Sequence, residues 1–246
     1  MKGVVLLSGG LDSLATLILA QGECTEVGAI HFTYGQTSYK EERKYAEEIC
    51  EKLKVPLKVI PLEFLNGVVN TKYTSGEEIE FGEPDIFVPN RNLMFITIAH
   101  AYCQTNGYDA LYVGLYGDAE FSDLDKPVLK EDRIDAEIIK RRFKEELDVK
   151  TFPDSSDYFI RMVDPFIQSQ SGTDVAVKFP LFKKTKSYAF EVLDNAGLLE
   201  EAKYKSISCY NGSLDEHDWG IGCADCTTCY SKKLSYMVFK HKKANK

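Results

Sequence analysis

Along the first half of the chain the spacing of apolar positions switches repeatedly between two periods. Val4, Val5, Leu6 and Leu7 form a continuous apolar run, and Leu14, Leu17 and Ile18 then recur at helical spacing. A buried strand over 4–7 and a helix over 12–21 are predicted. The run 26–34 reads as a second strand, closed by Gly35. In 38–54, Tyr45, Ile49 and Leu53 share one face with charges opposite, the pattern of an amphipathic helix. Residues 56–62 form a third strand, and 90–106 an apolar helix after the turn Val88-Pro89-Asn90-Arg91-Asn92. A strand over 110–115 follows, and a helix over 184–198 ends near Gly197. Strand and helix in alternation predict an α/β fold, a parallel sheet covered on both faces with ligands at the carboxyl ends of its strands.

Between these elements the pattern breaks. Residues 66–86 are polar and Gly-containing, which predicts a flexible loop over the site. Residues 123–150 are dense in both charge signs and read as an exposed helix plus linker, a solvated face. After Lys205 the chain becomes Cys- and Gly-rich and carries its single Trp. The expected organisation is a main domain over 1–205, with 123–150 as a charged insertion, and a small C-terminal metal-binding segment over 206–246.

Composition narrows the setting. With 246 residues, 44% hydrophobic and 28% charged, the chain can bury one large core. No apolar run approaches the roughly 18 residues of a membrane helix. The chain opens on a strand rather than on a basic, then apolar leader, so a cytoplasmic location is expected. A net charge of −8 argues against a broad nucleic-acid surface. The basic tail (Lys240, Lys242, Lys243, Lys246) reads as a solvated end.

Two stretches carry chemistry. Ser8-Gly9-Gly10-Leu11-Asp12-Ser13 lies at the first strand-to-helix turn. Two glycines there let backbone N–H groups approach a ligand, the helix N-terminus favours an anion, and Ser8 and Ser13 add hydroxyls. The turn reads as a phosphate cradle, or as a tight turn with an Asp or Ser cap. Cys209, Cys223, Cys226 and Cys229 have the spacing C-x13-C-x2-C-x2-C. Two successive C-x2-C steps suit a closed, structural tetrahedral zinc site. An iron–sulfur cluster is the alternative. Cys24, Cys50 and Cys103 lie in apolar contexts and read as core residues.

The loop resembles the SGGxDS signature of the PP-loop ATP pyrophosphatase superfamily. Within it, further stretches are similar to the 7-cyano-7-deazaguanine synthase family of the queuosine pathway. These are FTYGQ at 32–36, FVPNRN at 87–92, FSD at 121–123 with FPDSSDYFI at 152–160, PLFKKTK at 180–186, and SCYNG with GCADCTTC. The resemblance runs in order over most of the chain. It implies an adenine-nucleotide α-hydrolase-like fold, a homodimer, and an ATP-dependent carbon–nitrogen ligase using Mg²⁺ and Zn²⁺.

In that family the carboxylate of 7-carboxy-7-deazaguanine attacks the α-phosphorus of ATP, ammonia gives the amide, and a second ATP carries the amide to the nitrile. Carried over residue by residue, Ser8, Gly9, Gly10, Leu11, Asp12 and Ser13 form the pyrophosphate site, with Asp12 either a Mg²⁺ ligand or a helix cap. Asp12, Ser13, Arg91 and Lys186 are the catalytic candidates. Gln36, Arg91, Asn92 and Asp154 are candidates to contact the deazapurine. Cys209, Cys223, Cys226 and Cys229 hold zinc.

The chain departs from the pattern at three places. Thr37-Ser38 stand where the family has Arg-His, Ser155-Ser156 where it has Cys-Arg, and Lys232 replaces an Arg. Arg161, Lys183, Lys184 or the insertion are the expected replacements for lost contacts to an acidic substrate. Rival readings are a relative that stops at the amide or joins the deazaguanine to another amine, as in a phage or defence role. A tRNA-thiolating pyrophosphatase and a zinc-ribbon adaptor without ATP turnover are the others.

Overall fold

A computed structural model describes residues 1–69, 71–79, 86–119 and 152–245. The expected insertion at 123–150, the stretch at 121–123 and part of the loop over 66–86 lie outside these residues.

At the centre is β1 (Lys2–Leu6), in which Val4 and Val5 are both 0% exposed. Successive strand residues point to opposite faces, so both faces of the sheet are covered. After β1 come α1 (Leu11–Glu23), β2 (Glu26–Thr33), α2 (Tyr39–Leu53) and β3 (Leu57–Pro61). Then follow α3 (Arg91–Thr105), β4 (Ala110–Tyr112), α4 (Asp157–Ser171) and β5 (Ala176–Lys178). The sheet order is β3-β2-β1-β4-β5, and every neighbouring pair is parallel. Such a sheet needs helical crossovers on its faces. Val5, Ala29 and Tyr112 face one core with α1 and α2, while Val4, Ile30 and Leu111 face the other with α3 and α4. This is the expected α/β architecture.

The remaining elements are α5 (Ser187–Asn195), α6 (Leu199–Tyr204), a two-stranded ribbon of β6 (Glu216–His217) and β7 (Gly220–Ile221), and α7 (Thr227–Ala244). The predicted helix over 184–198 is thus shorter, and a second helix begins directly after it. Phe190 on α5 meets Tyr236 of α7 edge-on at 5.3 Å and stacks on Phe239 at 5.9 Å, so residues on both sides of position 205 share one core. β5, α4 and α7 were not anticipated. α4 has charges and Pro165 among its apolar positions, and α7 hides its buried Leu234, Val238 and Phe239 among lysines.

Two predictions are corrected. The strand over 110–115 ends at Tyr112: the Val113 N–H makes the last ladder bond, to the Lys178 carbonyl, and the Leu115 N–H then turns back onto the Val113 carbonyl at 3.1 Å. The described part of the loop over 66–86 holds a helical turn (Lys72–Ser75) with Tyr73 buried, and Ile79 buried beyond it.

Strand order reverses between β1 and β4, the place where sheets of this type leave a crevice. There the chain forms a cleft of about 270 Å³, bounded by the loop after β1, the end of β2, the start of α3, residues 113–115, and Ile207, Ser208 and Tyr210.

Candidate functional site

The cleft begins with the loop between β1 and α1. Ser13 Oγ donates to the Gly10 carbonyl at 2.9 Å and accepts from the Ser8 N–H at 3.1 Å. Ser8 and Ser13 hydroxyls lie 3.1 Å apart, and the Gly10 N–H donates to Ser8 Oγ at 3.3 Å. Gly9 adopts φ +85°, and a Cβ there would sit 2.3 Å from the Glu42 carbonyl oxygen. Only glycine passes at this point. Gly10 is the N-cap of α1 and no side chain caps the helix. First-turn N–H groups have no acceptor within their own helix, so they remain donors for an anion.

Asp12 does not cap α1. Its Oδ2 pairs with Lys186 Nζ at 2.9 Å, and its Oδ1 accepts from the Tyr116 hydroxyl at 2.8 Å. The Lys186 side chain is 8% exposed and that of Asp12 26%. Residues 174 positions apart therefore meet beside the loop.

The opposite wall is aromatic. Phe95 stacks on Phe32 at 4.6 Å and meets Tyr34 edge-on at 5.2 Å; Tyr73 lies 6.3 Å from Tyr34 and 5.1 Å from Tyr210. Burial pushes the Tyr34 and Tyr73 phenols above their ordinary range. Arg91 stands among them, its Nη1 donating to the Tyr34 hydroxyl at 3.3 Å. Burial disfavours its charge, but Tyr34, Tyr73, Tyr210 and Asp154 outweigh this and hold the guanidinium charged.

The other candidates divide. Asn92 lines the cleft, but its N–H donates to Asp154 Oδ2 and its Nδ2 to the Asp154 carbonyl, both at 3.0 Å. Asp154 thereby anchors the turn Pro153–Ser155 to the start of α3, and it lines a neighbouring apolar groove instead of the cleft. Gln36 is 1% exposed with its amide engaged at both ends. Its Oε1 accepts from the Tyr34 N–H at 2.9 Å, and its Nε2 donates to Glu42 Oε2 at 2.8 Å. Glu42 also accepts from Ser38 Oγ at 2.6 Å and the Tyr73 hydroxyl at 3.2 Å. Sequence reasoning missed Glu42, Tyr73, Phe95 and Tyr116. Glu42 was legible in principle, since it lies three residues before Tyr45 on the buried face of α2.

The expected replacement cations are placed elsewhere. Lys183 pairs with Asp157 and lies over Phe182, Arg161 lies over the same ring, and Lys184 lies over Tyr188. Lys232 is 0% exposed, and its Nζ donates to the carbonyls of Ser206 at 2.8 Å and Lys203 at 3.2 Å. Burial pushes its ammonium down to about 7, against the attraction of Cys229 and Asp12.

Sulfur atoms of Cys209, Cys223, Cys226 and Cys229 all lie within 4.8 Å of one another. The N–H groups of Asp225 and Cys226 donate to Cys223 Sγ at 3.4 and 3.3 Å. A Cβ at Gly222 would sit 2.4 Å from Cys229 Sγ. Donors from Cys209 and Cys229 hold the Cys226 thiol far below its ordinary range. The donor set is all sulfur and largely buried, and it fits a metal that prefers four thiolates. By contrast, burial pushes the isolated Cys50 and Cys103 thiols up to about 12, as expected of core residues.

The family described as "Queuosine biosynthesis protein QueC" matches residues 2–124 and 131–240. Among relatives, the 7-cyano-7-deazaguanine synthase of Helicobacter pylori (strain Shi470) is 26% identical over 248 residues, spanning 97% of this chain and 96% of the relative. The 7-cyano-7-deazaguanine synthase of Methanobrevibacter smithii is 30% identical over 252 residues, spanning 96% and 93%. A solved 4-thiouridine synthetase, in complex with RNA and bound ATP, superposes with a TM-score of 0.50 at 16% identity. That match covers 97% of this chain and 53% of the synthetase, and it shows a shared fold. This chain belongs to the QueC family of queuosine biosynthesis proteins.

Proposed function

We propose that this family member is an ATP-dependent carbon–nitrogen ligase that converts 7-carboxy-7-deazaguanine and ammonia to 7-cyano-7-deazaguanine. The observation that carries the reading is one cleft with two chemically different ends. At one, the Ser8–Ser13 loop and Asp12 line the cleft, with Lys186 paired to Asp12 beside them, and together they serve as the anion-binding end. At the other, Tyr34, Tyr73, Phe95 and Tyr210 surround Arg91 in a slot suited to a flat heterocycle.

In this reading the ATP pyrophosphate lies on the loop N–H groups, with Ser8 and Ser13 hydroxyls beside it. The substrate carboxylate attacks the α-phosphorus and pyrophosphate leaves. Ammonia then adds to the acyl carbon and AMP leaves, giving the amide. The amide oxygen attacks a second ATP in the same manner, and loss of AMP and a proton gives the nitrile. Lys186 stabilises the charge that grows on the phosphoryl oxygens, held in place by Asp12 until the nucleotide enters. Arg91 meets the acid or its carbonyl oxygen. Mg²⁺ would neutralise phosphate charge, with Asp12 as its protein ligand. Zn²⁺ held by Cys209, Cys223, Cys226 and Cys229 would have a structural role, because four protein ligands leave no open position.

The test is incubation of the zinc-loaded chain with ATP, Mg²⁺, ammonium and the acid, followed by mass spectrometry. The nitrile with two AMP per product is expected. The amide with one AMP would replace this reading by a truncated reaction, and absence of AMP would overturn it. Asp12→Ala should lower pyrophosphate release at least a hundredfold.

A further inference from the structure

Ser206, Ile207, Ser208 and Cys209 tie three parts of the molecule together. Lys232, three residues beyond Cys229 on α7, donates to the Ser206 carbonyl at 2.8 Å, the Lys203 carbonyl at 3.2 Å and Ser206 Oγ at 3.4 Å. These groups sit at and just past the end of α6, where the last carbonyls lack donors within the helix and a cation is favoured. The next residue turns towards the nucleotide loop. Ile207 donates its N–H to the Gly9 carbonyl at 3.1 Å, and its own carbonyl oxygen lies 3.1 Å from the place of a Cβ on Gly10. Ser208 lines the cleft, and Cys209 Sγ belongs to the thiol cluster.

An ammonium that is 0% exposed and donates to neutral oxygens is an expensive way to terminate a helix. A neutral amide or a hydroxyl would satisfy the same carbonyls. Lys232 does not line the cleft, so contact with an acidic substrate does not account for it. What distinguishes the Ser206 carbonyl, the nearer of the two it holds, is its position one residue before the Ile207–Gly9 contact.

We infer that Lys232 is a positioning residue for the nucleotide loop. By fixing the carbonyls of Lys203 and Ser206 it sets where Ile207 meets Gly9, and so holds the Ser8–Ser13 turn in the shape that receives pyrophosphate. The inference rests on the reading of that turn as the ATP site, and it gives the thiol cluster a second consequence. The cluster fixes Cys209, Lys232 fixes Ser206, and the two residues between them brace the loop.

The experiment uses the full, metal-loaded chain and compares wild type, Lys232→Met, Lys232→Arg and Ile207→Pro. Calorimetry gives the affinity for Mg²⁺-ATP and, separately, for the deazaguanine acid; elemental analysis gives metal per chain. For Lys232→Met, Mg²⁺-ATP affinity should fall at least tenfold, with metal content unchanged and affinity for the acid within threefold. Lys232→Arg keeps the cation and should recover to within threefold of wild type. Ile207→Pro, which removes the N–H that meets Gly9 while leaving the Lys232 side chain in place, should reproduce the selective loss of ATP affinity, with a further loss of stability from the buried Ile207 side chain. The inference is overturned by unchanged ATP affinity in Lys232→Met, by equal loss for both ligands, or by loss of metal in parallel. It also falls if Lys232→Met and Ile207→Pro both fail to fold, since Lys232 then serves the fold alone. Should the wild-type chain bind no ATP at all, the ATP-site reading itself fails, whatever the variants do.

Discussion

The Ser8–Ser13 loop is held by its own residues: its hydroxyl and amide contacts join positions no more than five apart. The segment 206–211, on the other side of the same cleft, is held by remote ones. Ser206 answers to Lys232, Ile207 to Gly9, and Asn211 to both backbone groups of Ile79 at 2.9 Å. The loop makes these internal contacts unaided, but its setting in the cleft also depends on the Ile207 N–H at the Gly9 carbonyl. The segment takes its shape from remote supports: a buried cation at Ser206, the thiol cluster at Cys209 and Ile79 at Asn211. One cleft therefore joins a self-specified wall to a borrowed one, and removing the support of the second should damage both.

The largest expected effect comes from Cys226→Ser. Structural zinc contributes about 10–16 kcal/mol of apparent binding free energy in small zinc-folded peptides, so loss of one thiolate should destabilise the C-terminal segment by several kcal/mol. Elemental analysis should show the metal lost, calorimetry a lowered melting temperature, and Mg²⁺-ATP affinity should fall at least a hundredfold although no residue of the loop has changed. Retained ATP affinity in the metal-free variant would break the comparison, because the loop would then need nothing from the segment.

A smaller effect is expected from Gln36→Ala, and it separates two roles for a residue that the family resemblance placed at the substrate. Removing the buried amide leaves the Tyr34 N–H and Glu42 Oε2 without the partner each has now. A group stranded in this way costs about 1–3 kcal/mol. Urea unfolding should register that loss, and the kinetic constants should change through displacement of Tyr34 and Tyr73. A raised KM for the acid with stability unchanged would make Gln36 a direct substrate contact after all.

How much was legible in the sequence follows the same division. The loop, the parallel sheet and the four thiols were readable because each is specified by spacing: apolar period, Gly-Gly turn, C-x2-C. Asp12 and Lys186 were named separately, but nothing local says that they pair. Asn92 and Asp154 were named as substrate contacts, and the structure pairs them with each other. A motif marks a position, whereas the direction in which its polar atoms point depends on the neighbours that the fold supplies. Tyr116, Glu42 and Tyr73 were missed for the same reason, since each reaches the site through a tertiary contact. α7 escaped because its apolar positions are interleaved with lysines, one of which, Lys232, is itself buried.

The smallest expected effect concerns Lys183, one of the cations expected to replace lost substrate contacts. It pairs with Asp157, whose other oxygen accepts from the Asp118 N–H at 2.9 Å, and it does not line the cleft. Lys183→Met should therefore leave KM for the acid within twofold of wild type. Its effect on stability should be under about 1 kcal/mol, since the ion pair is open to solvent on the lysine side. The sign with pH is fixed by Asp157. Lys183 first, then the Asp118 N–H, hold its carboxyl below the ordinary value of 3.8, so the folded chain releases this proton more readily than the unfolded one. That contribution is fully present above the unfolded value and is lost as pH falls through the folded value. Urea midpoints of wild type and Lys183→Met should accordingly differ slightly at pH 7 and converge in strong acid. A difference that grows on acidification would mean that Lys183 supports the fold through another partner. A large rise in KM would return it to the substrate site.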